Sequence, residues 1–377
     1  MKAVKTLVAV AVTALASTAA LADINVGVIL SLTGPGSGLG IPMQNQFKLF
    51  PQTIGGEKVN LIILDDASDP GKGAANARRL VTDDKVDVII GSTLTPVAAA
   101  IAPVAAEAKT VQLAASPVGV PPGADQWLFR LPQGNDVMGF AVVEHMKKQG
   151  IKTIGFLGYT DAYGELWLKA MTPLAEKAGM KIVAAERFAR ADTSVTPQAL
   201  KLTAANPDAI LVVATGSGAA MPHKAIVERG YKGKIYQTHA AATPDLVRIG
   251  GKDVEGSFVV SGPAVIAEQL PDNHPSKKLA MDFVTNYEKL VGPGMRNQFA
   301  GHAYDAAIAL NKAVPIALKT AKPGTPEFRA GLRDALETMG RTVFAHGVMN
   351  WSKDDHWGFT NETGVMLKVV DGKFKVE

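Results

Sequence analysis

"INVGVILSLTGPGSGLG", residues 24–40, sets the fold. Its first seven residues are a short apolar run closed by Ser, Thr and Gly, which reads as a buried strand of a parallel sheet. Four glycines then fall at alternate positions, Gly34, Gly36, Gly38 and Gly40, and a helix is expected to start near Pro42. A strand, a glycine loop and a helix in that order can cradle a phosphate. The Rossmann fingerprint needs G-x-G-x-x-G, but Gly34 and Gly36 are followed by Leu39, and Gly36 and Gly38 by Ile41. A P-loop ends in G-K-[ST], whereas Gly40 is followed by Ile-Pro. Both phosphate signatures fail. What remains is either a flexible turn or a place where the main chain approaches a ligand closely, with free N–H groups at the helix start that favour an anion.

Outward from this stretch, strands alternate with helices. Strands are expected at 58–66, 86–92, 111–116, 153–159, 181–188, 208–215, 234–239 and 256–262, with helices at 71–83, 96–109, 136–149, 164–178, 196–205 and 219–229. Repeated β-α units predict an α/β fold, with parallel sheets covered by helices on both faces. The order then changes. Helices at 276–290, 299–320 and 326–338 come in succession, and strands return only within 364–376. Such a chain returns to an earlier domain and then crosses once more.

The 377 residues suit two domains, and a net charge of +4 without any block of five like charges gives no nucleic-acid footprint. The absence of cysteine excludes thiol catalysis and thiolate metal sites. "MKAVKTLVAVAVTALASTAALA" has two lysines, an apolar run and a closing Ala20-Leu21-Ala22. It reads as a secretory signal peptide over residues 1–22, cut after Ala22. No later stretch has the roughly 18 uninterrupted apolar residues of a membrane span.

Two further loops leave carboxyl ends of strands, the edge where open α/β sheets bind ligands. "GSTLTP" (91–96) is expected to set Thr95 at the N-cap of a helix and Pro96 at its first position. "ASPVG" (115–119) is the other.

With "DDASDP", "FLGYTDAYG" and "GHAYDA" following in order, the chain resembles the branched-chain amino-acid type of periplasmic binding protein that serves ABC importers. The resemblance runs over nearly the whole chain after Ala22. It implies a type I periplasmic-binding-protein fold, with two Rossmann-like lobes joined by three crossovers and closing on a ligand. Lobe 1 is then 23–138 with 266–345, and lobe 2 is 139–265 with 346–377. It also implies a monomer that carries a small carboxylate-bearing solute from the periplasm to a membrane permease, without cofactor or metal and without chemistry on the solute. By resemblance, Leu39 leans on the solute side chain, and Thr95 with Pro96 starts the helix that binds the carboxylate. Ser116, Pro117 and Val118 form the neighbouring loop, and Tyr163 contacts the solute from lobe 2. Relatives that bind amino acids carry an acidic residue for the ammonium after the strand at 234–239. Here that stretch is "THAAATPD", with His239 and no carboxylate before Asp245. Asp161 and Asp245 are the acidic candidates left to meet an ammonium. An acid without an α-amine, aromatic carboxylates first, is therefore the expected solute beside aliphatic amino acids.

Competing classes are weaker. Ser31, Ser92 and Ser116 lack the G-x-S-x-G elbow of an exported hydrolase. An amide or urea sensor of the same fold fits poorly with a signal peptide. Asp65-Asp66 in "DDASDP" reads as a loop capping the next helix rather than an acid/base pair, and "DDHW" (354–357) as a solvated turn rather than a metal site.

Overall fold

The computed structural model describes residues 23–377; the expected signal peptide lies outside the described residues. The chain runs through β1 (Ile24–Leu30), α1 (Ser37–Phe47), β2 (Thr53–Ile54), β3 (Glu57–Asp65), α2 (Pro70–Thr82), β4 (Val88–Gly91), α3 (Thr95–Glu107), β5 (Val111–Ala114) and β6 (Leu128–Arg130). These strands form a six-stranded sheet in the order β2-β3-β1-β4-β5-β6, parallel except for the β2–β3 pair. β1 lies near the middle, paired on both sides, and that position demands its apolar run. Val26, Val28, Ile29 and Leu30 are fully buried, each contributing about 1.5–3 kcal/mol of apolar burial.

Then α4 (Asn135–Lys148) leads to the second sheet. It is built from β7 (Thr153–Tyr159), α5 (Ala162–Lys177), β8 (Lys181–Phe188), α6 (Thr196–Ala204), β9 (Ala209–Val213), α7 (Ala220–Glu228), β10 (Lys234–Gln237), α8 (Pro244–Gly250) and β11 (Phe258–Ser261). The chain next returns through α9 (Lys277–Val291), α10 (Gln298–Ala317), α11 (Pro326–Thr338) and the hairpin β12 (Thr342–Phe344)–β13 (Gly347–Met349). Here α10 packs on α1 and α11 beside β5, so these elements belong to the first sheet's side. A last crossing adds β14 (Val365–Val370) and β15 (Lys373–Val376) to the edge of the second sheet, whose order is β15-β14-β11-β10-β9-β7-β8. The chain thus passes between the two halves three times.

Three local expectations are corrected. The helix expected near Pro42 begins at Ser37, so Gly38 and Gly40 lie inside its first turns and Pro42 sits within it. The glycines are what allow this. A Cβ on Gly40 would run into the backbone carbonyl of Ser31, and Gly34 has φ +77°, where a side chain is strained. Thr95 is not the N-cap of α3. Leu94 takes that place in extended conformation, and Thr95 is the first helical residue. Finally, "DDHW" is not a solvated turn at His356. That ring is buried, stacked on Phe129 with centroids 3.9 Å apart, and bonded through Nδ1 to the Asp125 carbonyl oxygen at 2.8 Å.

Candidate functional site

The loops at the carboxyl ends of the first sheet are pinned from behind by carboxylates. Asp65 accepts from the Leu32 N–H at 2.9 Å and the Thr33 hydroxyl at 2.7 Å. Asp66, fully buried, accepts from the Ser92 hydroxyl at 2.6 Å. Burial raises the Asp66 carboxyl above its ordinary range, against the pull of that hydroxyl. The "DDASDP" carboxylates are therefore structural, and the helix cap itself is Asp69, which accepts from the Lys72 N–H at 2.7 Å. Ser116 donates to the Ser92 carbonyl at 3.1 Å and so ties the third loop to the second.

These loops form one wall of a narrow cavity between the two sheets. From the first sheet come Thr93, Thr95, Ser116 and Pro117; from the second come Tyr163, Arg190, Thr215 and His239; from α10 come Phe299 and His302. The structure thus brings together five of the residues singled out in the sequence: Thr95, Ser116, Pro117, Tyr163 and His239.

The other three lie elsewhere. Val118 is turned into a small apolar cluster with Ala98, Ala102, Ala114 and Leu128, while its carbonyl accepts from Arg130 Nε at 3.0 Å. Pro96 is half-buried in the first turn of α3 and does not line the cavity. Leu39 faces the second half of the chain: a Cβ on Gly216 would sit 3.1 Å from Leu39 Cδ2. Similarly, a Cβ on Gly119 would lie 2.8 Å from Leu166 Cδ2. Those two glycines let the halves touch across the cleft.

Arg190 is the principal site residue that the sequence reading missed. It follows β8 and sets its guanidinium carbon over the Tyr159 ring, 4.0 Å from the centroid. Its Nε binds Asp161 Oδ2 at 2.5 Å and its Nη1 donates to Thr215 Oγ1 at 2.9 Å. The third guanidinium nitrogen, Nη2, is buried without a partner. The Thr93 and Thr95 hydroxyls are likewise buried and unpartnered. Unmet buried donors are costly, and these line a cavity. Since Leu94 rather than Thr95 caps α3, the Thr95 hydroxyl has no local structural task.

Both acidic candidates for an ammonium are committed elsewhere. Asp161 caps α5 by accepting from the Tyr163 N–H at 2.9 Å with one oxygen and holds Arg190 with the other. Asp245 pairs with Arg248 at 2.7 Å, and neither acid lines the cavity. No carboxylate lines the cavity among the described residues. His239 is neutral, its pKa pushed down to about 3 by burial and then by nearby His346. Tyr163 donates to the Thr238 hydroxyl at 2.8 Å, which in turn donates to the Ala214 carbonyl at 3.2 Å. Burial pushes the Tyr163 phenol well above its ordinary range, so it also stays neutral. Arg190, held by Asp161, thus keeps one unpartnered donor toward a lining without any carboxylate, an arrangement chemically suited to an anion.

A family model described as periplasmic binding protein matches residues 23–373. An extracellular ligand-binding receptor from Rhodopseudomonas palustris HaA2 is 46% identical, with a TM-score of 0.93 over 94% of this chain and 100% of that one. The Leu/Ile/Val-binding protein homolog 3 of Brucella melitensis is 25% identical over 254 residues, 64% of this chain and 68% of that protein. A solute-binding protein of an ABC transporter from Rhodopseudomonas palustris BisB5, solved with 3,4-dihydroxybenzoic acid, shares the fold. It is 23% identical, with a TM-score of 0.76 over 93% of this chain and 95% of that one.

Proposed function

The chain belongs to the periplasmic binding protein family, with that family's two-lobed type I fold, and we propose that it captures a small carboxylic acid lacking an α-amine and delivers it to an ABC importer permease. The observation that carries this reading is the buried, unpartnered Nη2 of Arg190 in a cavity without an acidic lining residue. A carboxylate entering the cavity meets a charge-assisted donor, with the Thr93 and Thr95 hydroxyls as further donors. An ammonium meets no anion, and an unpaired buried charge costs several kcal/mol.

Aromatic acids lead the list of solutes because the remaining lining includes Leu94, Pro117, Pro132 and Phe299. The solute-binding protein solved with 3,4-dihydroxybenzoic acid has the same fold. Binding draws Arg190 and Tyr163 of lobe 2 against Thr95 of lobe 1, so the solute stabilises the closed arrangement. The lobe divisions at about residues 138, 265 and 345, export to the periplasm after cleavage behind Ala22, a monomeric state and the absence of enzymatic chemistry belong to the same reading.

Isothermal titration of the purified protein with benzoate-type acids and with leucine tests it. Micromolar affinity for an aromatic acid with no heat from leucine is expected. Micromolar leucine binding without any response to aromatic acids overturns the choice of solute.

Thr95→Val keeps the shape of the site and removes one hydroxyl. A hydrogen bond to a charged group is worth about 1.5–3 kcal/mol, so solute affinity is expected to fall about ten- to a hundredfold. Because Leu94 holds the N-cap position, the melting temperature without solute is expected to be unchanged. Unaltered affinity in the folded variant removes Thr95 from the site.

A further inference from the structure

We propose that His302, Asp305 and His346 form a binding site for a divalent transition-metal ion such as zinc, set in the wall of the solute cavity. On α10, His302 and Asp305 stand one turn apart and therefore on one face. The β12–β13 turn brings in His346, and Gly301 leaves room for it: a side chain there would collide with the His346 ring. Each of the three residues offers a ligand atom within 4.8 Å of the others, and all three are buried.

The arrangement goes beyond proximity. Asp305 Oδ2 accepts from His346 Nδ1 at 2.7 Å, and its Oδ1 accepts from the Ala345 N–H at 2.7 Å. With the proton on Nδ1, His346 presents a lone pair at Nε2, and that atom is buried without a partner. His302 Nδ1 is also buried and unpartnered, and the two rings lie 4.4 Å apart. A carboxylate that orients an imidazole whose other nitrogen lacks a partner is the arrangement metal-binding histidines use. Two imidazole ligands, one of them oriented by a carboxylate, suit zinc, nickel or copper rather than magnesium or calcium. His302 also lines the cavity, so the ion sits at its wall. The sequence reading expected no metal because these three residues are separated by up to 44 positions and form no short motif.

The test uses the purified, chelator-treated protein without solute, so its failure leaves the acid-binding reading untouched. Cobalt(II) titration is expected to saturate at one ion per chain with visible ligand-field bands, and zinc is expected to raise the melting temperature. His302→Gln should abolish the cobalt bands, and Asp305→Asn should weaken zinc binding about 10–100-fold through loss of the orienting carboxylate. His274→Gln, outside the cluster, should leave both signals intact. Zinc-edge X-ray absorption on the unaltered protein should find two imidazole ligands, whatever the variants do. No stoichiometric uptake, an absorption edge without imidazoles, or cobalt bands that persist in folded His302→Gln overturns the proposal.

Discussion

Arg190→Met is expected to raise the dissociation constant for the acid by about a hundredfold or more, the largest loss of affinity for any single residue of the cavity. The change removes a charge-assisted donor worth about 1.5–3 kcal/mol and leaves the incoming carboxylate without a cation. It also strands Asp161, whose second oxygen loses its cation. Stability without solute is expected to fall as well, because the Arg190–Asp161 pair is mostly buried, with side-chain exposures of 14% and 21%. Arg190→Lys keeps the charge but not the planar fork that serves Asp161 and Thr215 together, so its affinity should fall between the two. Calorimetry with one aromatic acid across the three proteins decides the matter. Equal affinity in Arg190→Met would place the carboxylate elsewhere.

Gly40→Val is expected to give the largest loss of stability, about 3 kcal/mol, the upper end of typical overpacking costs. Any Cβ at Gly40 meets the Ser31 carbonyl, which is backbone and cannot rotate away. Gly38, two residues earlier in the same helix, offers a control. Its Cβ would meet only Asp245 Oδ2, at 3.4 Å, so Gly38→Ala is expected to be neutral or to gain up to about 1 kcal/mol of helix propensity. Urea unfolding monitored by circular dichroism measures both variants. Similar midpoints would show that α1 shifts freely along β1.

The comparison of these two glycines explains how much of the fold is legible in the sequence. The strands at 153–159 and 181–188 and the helix at 326–338 are readable to the residue, because each is long and bounded by clear breakers. β6 spans three residues and β12 and β13 three each, too short for any periodicity to register. The start of α1 is misread because four glycines look like a loop. Only packing against Ser31 reveals that two of them are helical.

The site divides in the same way. Thr95, Ser116 and Tyr163 follow strands at the sheet edge where ligands gather, so topology points to them. Arg190 follows a strand too, but it is one of two arginines in "RFARAD", and either resembles a solvated charge. Its importance comes from Asp161, 29 residues earlier, and from Tyr159 beneath it, neither of which is adjacent in sequence. Val118 shares a loop with Ser116 yet points into the sheet's apolar side, a choice of direction that the residue type does not encode.

The three passages between the sheets also fix the order in which the protein becomes whole during synthesis. When β11 emerges, the second sheet is still open, because the strand that covers it, β14, pairs Val365 with Ser261 and is made more than a hundred residues later. The first half is equally unfinished until α9, α10 and α11 have followed. An exposed parallel edge is a template for pairing with another chain. Neither half can therefore complete itself early, and a nascent chain halted before residue 365 carries an open edge at β11. The topology that carries the chain three times between its halves also delays final folding until β14 and β15 have been made.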